Sequence, residues 1–154
     1  MSDTRSPQKT RDLHNHHFDS TIWDDFRFRD DDIIISTYAK SGTTWMQQII
    51  AQMILGGDPD AEVAELSPWM DLRIPPKEVK LQAVEAQTSR RFLKTHLPVD
   101  ALVFSPKAKF LYIGRDGRDV VWSIVQPSRE CESDVVRCVE RDTWSCWTSY
   151  RKAT

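Results

Sequence analysis

A chain of 154 residues supports one domain with a modest core. Its formal net charge of −2 and pI near 6.1, with no basic block or lysine stripe interleaved with aromatics, argue against nucleic acid as a partner. No apolar run reaches bilayer-spanning length, and the opening Met1-Ser2-Asp3-Thr4-Arg5-Ser6-Pro7 has no apolar signal-peptide core, so a cytoplasmic protein without membrane contact is expected.

Residues 1–20 are polar and read as a flexible N-terminus. His14, His16 and His17 lack a carboxylate or cysteine partner at metal-binding spacing, so no metal is expected. Trp23 to Arg29 alternates aromatic and charged residues, as a short strand or an entry loop does, and Asp30-Asp31-Asp32 reads as a turn. Ile33 to Tyr38 is β-branched and aromatic and fits a buried strand of a parallel sheet. Trp45 to Leu55 has helical spacing with no breaker before Gly56-Gly57.

Where that strand hands over to that helix stands Ala39-Lys40-Ser41-Gly42-Thr43-Thr44. Free amides at a helix start, a glycine permitting close approach, two threonine hydroxyls and the Lys40 ammonium suit an anion such as a phosphate. The order of residues is not that of a Walker A loop, in which the lysine follows the glycine; here Lys40 precedes Gly42. A P-loop kinase is disfavoured on the same ground.

Residues 58–76, rich in proline and acidic groups, read as loop, and Trp69 and Met70 within it suit a cap over the core. Pro76 through Gln87 reads as an amphipathic helix with the apolar set Val79, Ala83 and Val84. Arg91-Phe92-Leu93-Lys94-Thr95-His96-Leu97-Pro98 reads as a strand delivering a histidine, the side chain able to take a hydroxyl proton near neutral pH. Phe110 to Ile113 is another buried-strand candidate, running into Gly114-Arg115-Asp116-Gly117-Arg118-Asp119 and a helix carrying Ser123. Arg115 and Ser123 stand eight residues apart, a spacing at which a strand-end guanidinium and a helical hydroxyl can grip one phosphate. Asp119, in the first helical turn, reads as a structural partner of the helix dipole.

Three motifs in this order resemble the cytosolic-type sulfotransferases, which use 3′-phosphoadenosine 5′-phosphosulfate. Tyr38-Ala39-Lys40-Ser41-Gly42-Thr43-Thr44-Trp45 is similar to their 5′-phosphosulfate loop, Pro-Lys-Ser-Gly-Thr-Thr-Trp, with Ala39 replacing the proline. Lys94-Thr95-His96-Leu97-Pro98 matches the segment carrying their catalytic base, and Arg115 to Ser123 matches their 3′-phosphate motif. The resemblance covers roughly residues 20 to 124 and implies an α/β fold, a P-loop-like parallel sheet flanked by helices, here truncated. It implies His96 as base toward a small-molecule hydroxyl or amine acceptor, Lys40 on the leaving oxygen and Lys94 on the transferring sulfuryl oxygens. Lys40, Ser41, Gly42, Thr43 and Thr44 would hold the 5′-phosphate, and Arg115 and Ser123 the 3′-phosphate. Trp45 would either stack on adenine or anchor the core, and Trp69 and Met70, on the stretch that in the family lies beside the acceptor pocket, would either line that pocket or cap the core.

Beyond Ser123-Ile124 the resemblance stops, giving three segments: 1–20, the N-terminal part of a sulfotransferase domain at 21–124, and a divergent tail at 125–154. The tail holds all three cysteines, Cys131, Cys138 and Cys146, at spacings that fit no zinc or redox pair. Trp144, Trp147 and Tyr150 are placed as a helical stripe would place them. Codons for Val125 to Glu130, shifted by one nucleotide, permit Tyr-Asn-His-His, the way the family continues after its serine. A frameshifted tail is expected, with a genuine divergent terminus as the alternative. The family's Arg-Lys-Gly segment and its homodimer-contact segment have no counterpart, Arg151-Lys152-Ala153 lacking the glycine. The competing reading is therefore an inactive remnant that at most binds the nucleotide.

Overall fold

The computed structural model describes residues 7–58 and 61–130, so the cysteines and the aromatic stripe of the tail lie outside the described residues. Two compact units divide at Arg115, and the first carries a three-stranded parallel sheet. Strand β1 (Ile33–Thr37) lies between β2 (Phe92–Thr95) and β3 (Lys109–Ile113). A central parallel strand is covered on both faces, which is why Ile33-Ile34-Ile35 is apolar without alternation. Successive side chains point to opposite faces. Ile34 joins Trp23, Met70, Val84, Leu93 and Leu102 in one core, while Ile33 and Ile35 meet Ile50, Ala51 and Phe92 in another.

Helix α2 (Thr43–Leu55) follows β1 and buries Thr43, Gln47, Ile50 and Ala51. It stops at Gly56, whose φ of 64° is open to glycine and costly for other residues. Its other face leaves Trp45 79% exposed, which removes Trp45 from the core.

Elsewhere the sequence expectations need correction. Trp23 to Arg29 is neither strand nor plain loop at its start: α1 (Ile22–Asp25) puts Ile22 and Trp23 into the core, and Phe26 packs edge-on to Trp23 with centroids 5.4 Å apart. Within 58–76 a short helix, α3 (Val63–Leu66), interrupts the loop, and Met70 is a core residue. In α4 (Lys77–Ala86) the buried positions are Lys80 and Val84, while Val79 and Ala83 face outward. A lysine takes the apolar face because its stem packs there and its Nζ donates to the carbonyls of Met70 and Leu72, tying α4 to that loop. Burial pushes the Lys80 ammonium down to about 8, against the opposing charges of Asp71 and Asp19. Strand β3 exists but is not buried: it is an edge strand among the described residues, and Leu111 and Tyr112 stand exposed. In the second unit, helix α5 (Gly117–Glu130) runs without a break past Ile124, where the sequence motifs end. Among the described residues no helix is long and apolar enough to cross a membrane.

One buried ion pair seats the start of the sheet. Arg91, immediately before β2, donates from Nε and Nη2 to the two oxygens of Asp32, immediately before β1, at 2.8 and 2.5 Å, and again from Nη2 to the Arg27 carbonyl at 2.8 Å. Both side chains are shielded from solvent, so removing Asp32 leaves the Arg91 charge only the longer, half-exposed contact of its Nη1 with Glu85 Oε2 at 3.3 Å. Asp32→Ala is expected to destabilise the fold by about 3–5 kcal/mol, read as the shift in the urea unfolding free energy; a loss below about 1 kcal/mol would show that Glu85 alone suffices to neutralise Arg91.

Candidate functional site

Parallel pairing with the register Ser36↔Thr95 and Thr37↔Ile113 brings the carboxyl ends of all three strands to one level. In open parallel sheets that edge is where ligands sit. Three loops leave it: 38–42 after β1, 96–98 after β2 and 114–116 after β3.

The first loop turns tightly into α2. Lys40 has φ of 62° and Gly42 has φ of 102°, both in the left-handed region. Nothing lies within 4 Å of a Cβ built on Gly42, so the glycine is needed for its backbone angle rather than for space. Gly42 gives α2 no side-chain cap, so the first amides of the helix are left to an external acceptor, with the positive end of the dipole behind them. Lys40 and Thr44 are exposed, whereas Ser41 and Thr43 are buried. That donor set, one cation, uncapped amides and hydroxyls, fits a phosphate-like anion. Arg115, on the third loop, donates from Nη1 to the Lys40 carbonyl at 3.0 Å. The first and third motifs therefore meet directly at these two residues.

The second loop sets His96 against β1. Its Nδ1 lies 2.7 Å from the Thr37 carbonyl oxygen, and a carbonyl can only accept, so Nδ1 carries the proton and Nε2 keeps a lone pair. Trp69 packs edge-on to the imidazole with centroids 4.7 Å apart. Asp71 holds this corner from below: Oδ2 accepts from the Trp69 indole at 2.7 Å and from the His96 amide at 3.2 Å. Asp71 is 0% exposed, and its Oδ1 has no hydrogen-bond partner among the described residues. Trp69 also forms a bridge with Lys94, whose Nζ lies 6.0 Å from the indole centroid. Burial lowers the titration of both His96 and Lys94. For His96 the neighbouring Lys94 charge adds to that lowering, while the Thr37 hydrogen bond and the Asp71 charge oppose it; for Lys94 only Asp71 opposes. A neutral imidazole near pH 7 follows, which is the form that can accept a proton.

Residues 30–151 match the family model for the sulfotransferase domain. The chain belongs to the sulfotransferase family. It is 38% identical over 120 residues to a glycolipid sulfotransferase of Mycobacterium tuberculosis, covering 77% of this chain and 37% of that protein. Human sulfotransferase 2B1 is 41% identical over 108 residues, covering 66% of this chain and 28% of its own length. A crystal structure of a mouse sulfotransferase complexed with PAP superposes with a TM-score of 0.55 at 28% identity, covering 72% of this chain and 38% of that one. Retinol dehydratase in a complex with retinol and PAP gives the same TM-score at 22% identity, which bears on the fold alone. The chain thus spans less than half the length of these sulfotransferases, and the matched region runs through residue 151, beyond the last sequence motif.

Of the residues singled out by the family motifs, Lys40 to Trp45, Lys94, His96 and Arg115 lie on the strand-end loops, β2 and the start of α2, while Ser123 lies on α5 in the second unit. Sequence reasoning missed Thr37 and Asp71. Asp71 left a signal, a carboxylate between Met70 and Leu72 in an otherwise apolar step; Thr37 left only its place at the end of an isoleucine strand.

His96 is expected to titrate below the ordinary histidine value of 6.5 in an NMR titration of its ring resonances. Asp71→Asn, which keeps the acceptor but removes the charge that raises it, is expected to move the midpoint lower still. A midpoint above 6.5 would show that the Thr37 and Asp71 contacts outweigh burial, and one well above 7 would leave the imidazole mostly a cation at neutral pH.

Proposed function

We propose that this chain carries the cosubstrate-binding and base-bearing part of a sulfotransferase that moves a sulfuryl group from 3′-phosphoadenosine 5′-phosphosulfate to a hydroxyl or amine of a small-molecule acceptor. The observation that carries this reading is the juxtaposition at the end of β1. There an uncapped helix start with a left-handed Lys40-Ser41-Gly42 turn and a histidine with its Nδ1 committed to the same strand stand side by side.

Each residue has a part that its surroundings support. His96 Nε2 takes the proton of the acceptor hydroxyl as the new S–O bond forms, and the bond from sulfur to the bridging phosphate oxygen breaks, releasing adenosine 3′,5′-bisphosphate. Lys40, exposed beside the helix start, neutralises charge on that departing oxygen. The amides that open α2, with the hydroxyls of Ser41, Thr43 and Thr44, hold the 5′-phosphate against the helix dipole. Lys94 faces the sulfuryl oxygens. Trp45, exposed at the first turn of α2, offers a flat face for the adenine. Arg115 supplies charge-assisted bonds to the 3′-phosphate. Such a reaction depends on positioning and charge stabilisation in the manner of phosphoryl transfer.

A second reading is a domain that binds the nucleotide without turnover, because the uncapped start of α2 and the contact of Arg115 with the Lys40 carbonyl build an anion site without requiring His96 to act as a base. Titration with adenosine 3′,5′-bisphosphate, followed by radiolabelled sulfuryl transfer to a panel of phenols, alcohols and amines, separates the two. Transfer supports the first reading; binding without transfer supports the second; absence of binding overturns both. Where transfer is measured, His96→Ala is expected to lower turnover by about two to four orders of magnitude with nucleotide affinity nearly intact. Lys40→Ala is expected to lower turnover more than affinity, since charge on the leaving oxygen is greatest in the transition state.

A further inference from the structure

Thr37 closes β1, and its side chain is used in a way that the reading above does not require. Its hydroxyl lies 2.5 Å from the hydroxyl of Thr43, the first residue of α2, and 3.4 Å from Nδ1 of His96, whose proton is already shared with the Thr37 carbonyl at 2.7 Å. Thr37 and Thr43 are both buried, so neither hydroxyl has ready access to water and each must be satisfied by protein or ligand.

The donor count then fixes a direction. One hydroxyl has one proton to give, and an anion in the loop can only accept. Thr43 can donate to such an anion only while it accepts from Thr37, and Thr37 can donate to Thr43 while its own lone pair faces the Nδ1–H of His96. The result is a run of donation from Thr37 through Thr43 to the anion, each bond polarising the next, with the Nδ1–H of His96, held chiefly by the Thr37 carbonyl at 2.7 Å, reaching the Thr37 hydroxyl as a longer second contact at 3.4 Å. With the loop empty of an anion, Thr43 is released to turn its proton toward Thr37, and the run reverses at that bond.

We infer that Thr37 is a positioning residue that couples anion occupancy of the loop before α2 to the hydrogen bonding of His96, so that the base is set when the nucleotide is in place. This inference rests on the nucleotide reading given above, and its test separates the two. Full-length chain labelled with ¹⁵N-histidine is titrated with adenosine 3′,5′-bisphosphate while the His96 ring nitrogens are followed, His96→Gln serving to assign them. In the parent chain, saturation is expected to shift the Nδ1–H resonance. Thr37→Val keeps the carbonyl and the shape but removes the hydroxyl; affinity is expected to fall about tenfold, the scale of one hydrogen bond, and the His96 response to saturating nucleotide to vanish. Thr37→Ser is expected to keep the response and affinity within about threefold of the parent. If Thr37→Val binds and responds as the parent does, or if Thr37→Ser fails in the same way as Thr37→Val, the coupling is overturned and Thr37 is a packing residue. If the parent chain itself does not bind, the nucleotide reading falls and the coupling falls with it.

Discussion

The site depends above all on the pairing of one strand with two neighbours in parallel. Because β1 runs between β2 and β3 in the same direction, residues far apart in sequence reach the same edge of the sheet: Thr37, His96 and Arg115 each follow or end a strand at matching register. That pairing is anchored at the opposite edge by Arg91 and Asp32, which precede β2 and β1 and neutralise each other out of reach of solvent. A slip of one residue in either pairing would exchange the isoleucines between the two cores and bring a polar neighbour, Asp32 or Ser36, into the place of one of them. It would also pull the Thr37 carbonyl away from the imidazole. Packing of two cores on the two faces of β1 and alignment of the chemistry at its end are thus one constraint.

Electrostatics at this edge is uneven by construction. On one side the opening of α2 presents amides and Lys40 to solvent. On the other, His96 and Lys94 sit behind Trp69, above a carboxylate with no exposed surface. The exposed side suits binding of a highly charged ligand, whose own charges replace water. The sheltered side suits proton transfer, because burial keeps the imidazole neutral and the buried carboxylate limits how far that shift goes.

What could be read from the sequence follows from which properties are local. The isoleucine run, the glycine turn and the helix after it are short-range features, and the strand-turn-helix is present as expected. The histidine was recognisable by its neighbours Lys94, Thr95, Leu97 and Pro98. The lysine at 80 was not legible as a core residue, because its burial depends on two carbonyls ten and eight residues back along the chain. Trp23 defeated the alternation rule because it sits on a one-turn helix, with Phe26 edge-on and Phe28 stacked against its ring from the segment that follows. Thr37 and Asp71 acquire their parts only through contacts with His96, 59 and 25 residues further on. No pattern within either segment encodes such contacts.

The carbonyl of Thr37 has a genetic consequence. Which nitrogen of His96 is left bare is decided by a main-chain oxygen, and every amino acid carries that oxygen. Codon changes at position 37 alter the side chain while leaving the atom that sets the imidazole's tautomer in place. Sequence drift at the end of β1 can therefore retune the neighbourhood of the histidine without reversing the ring's polarity. The same substitution in a protein that orients its base with a side-chain carboxylate removes the orienting atom at once. Here only a change that moves the strand itself can do so, and such changes are filtered first by whether the domain folds at all.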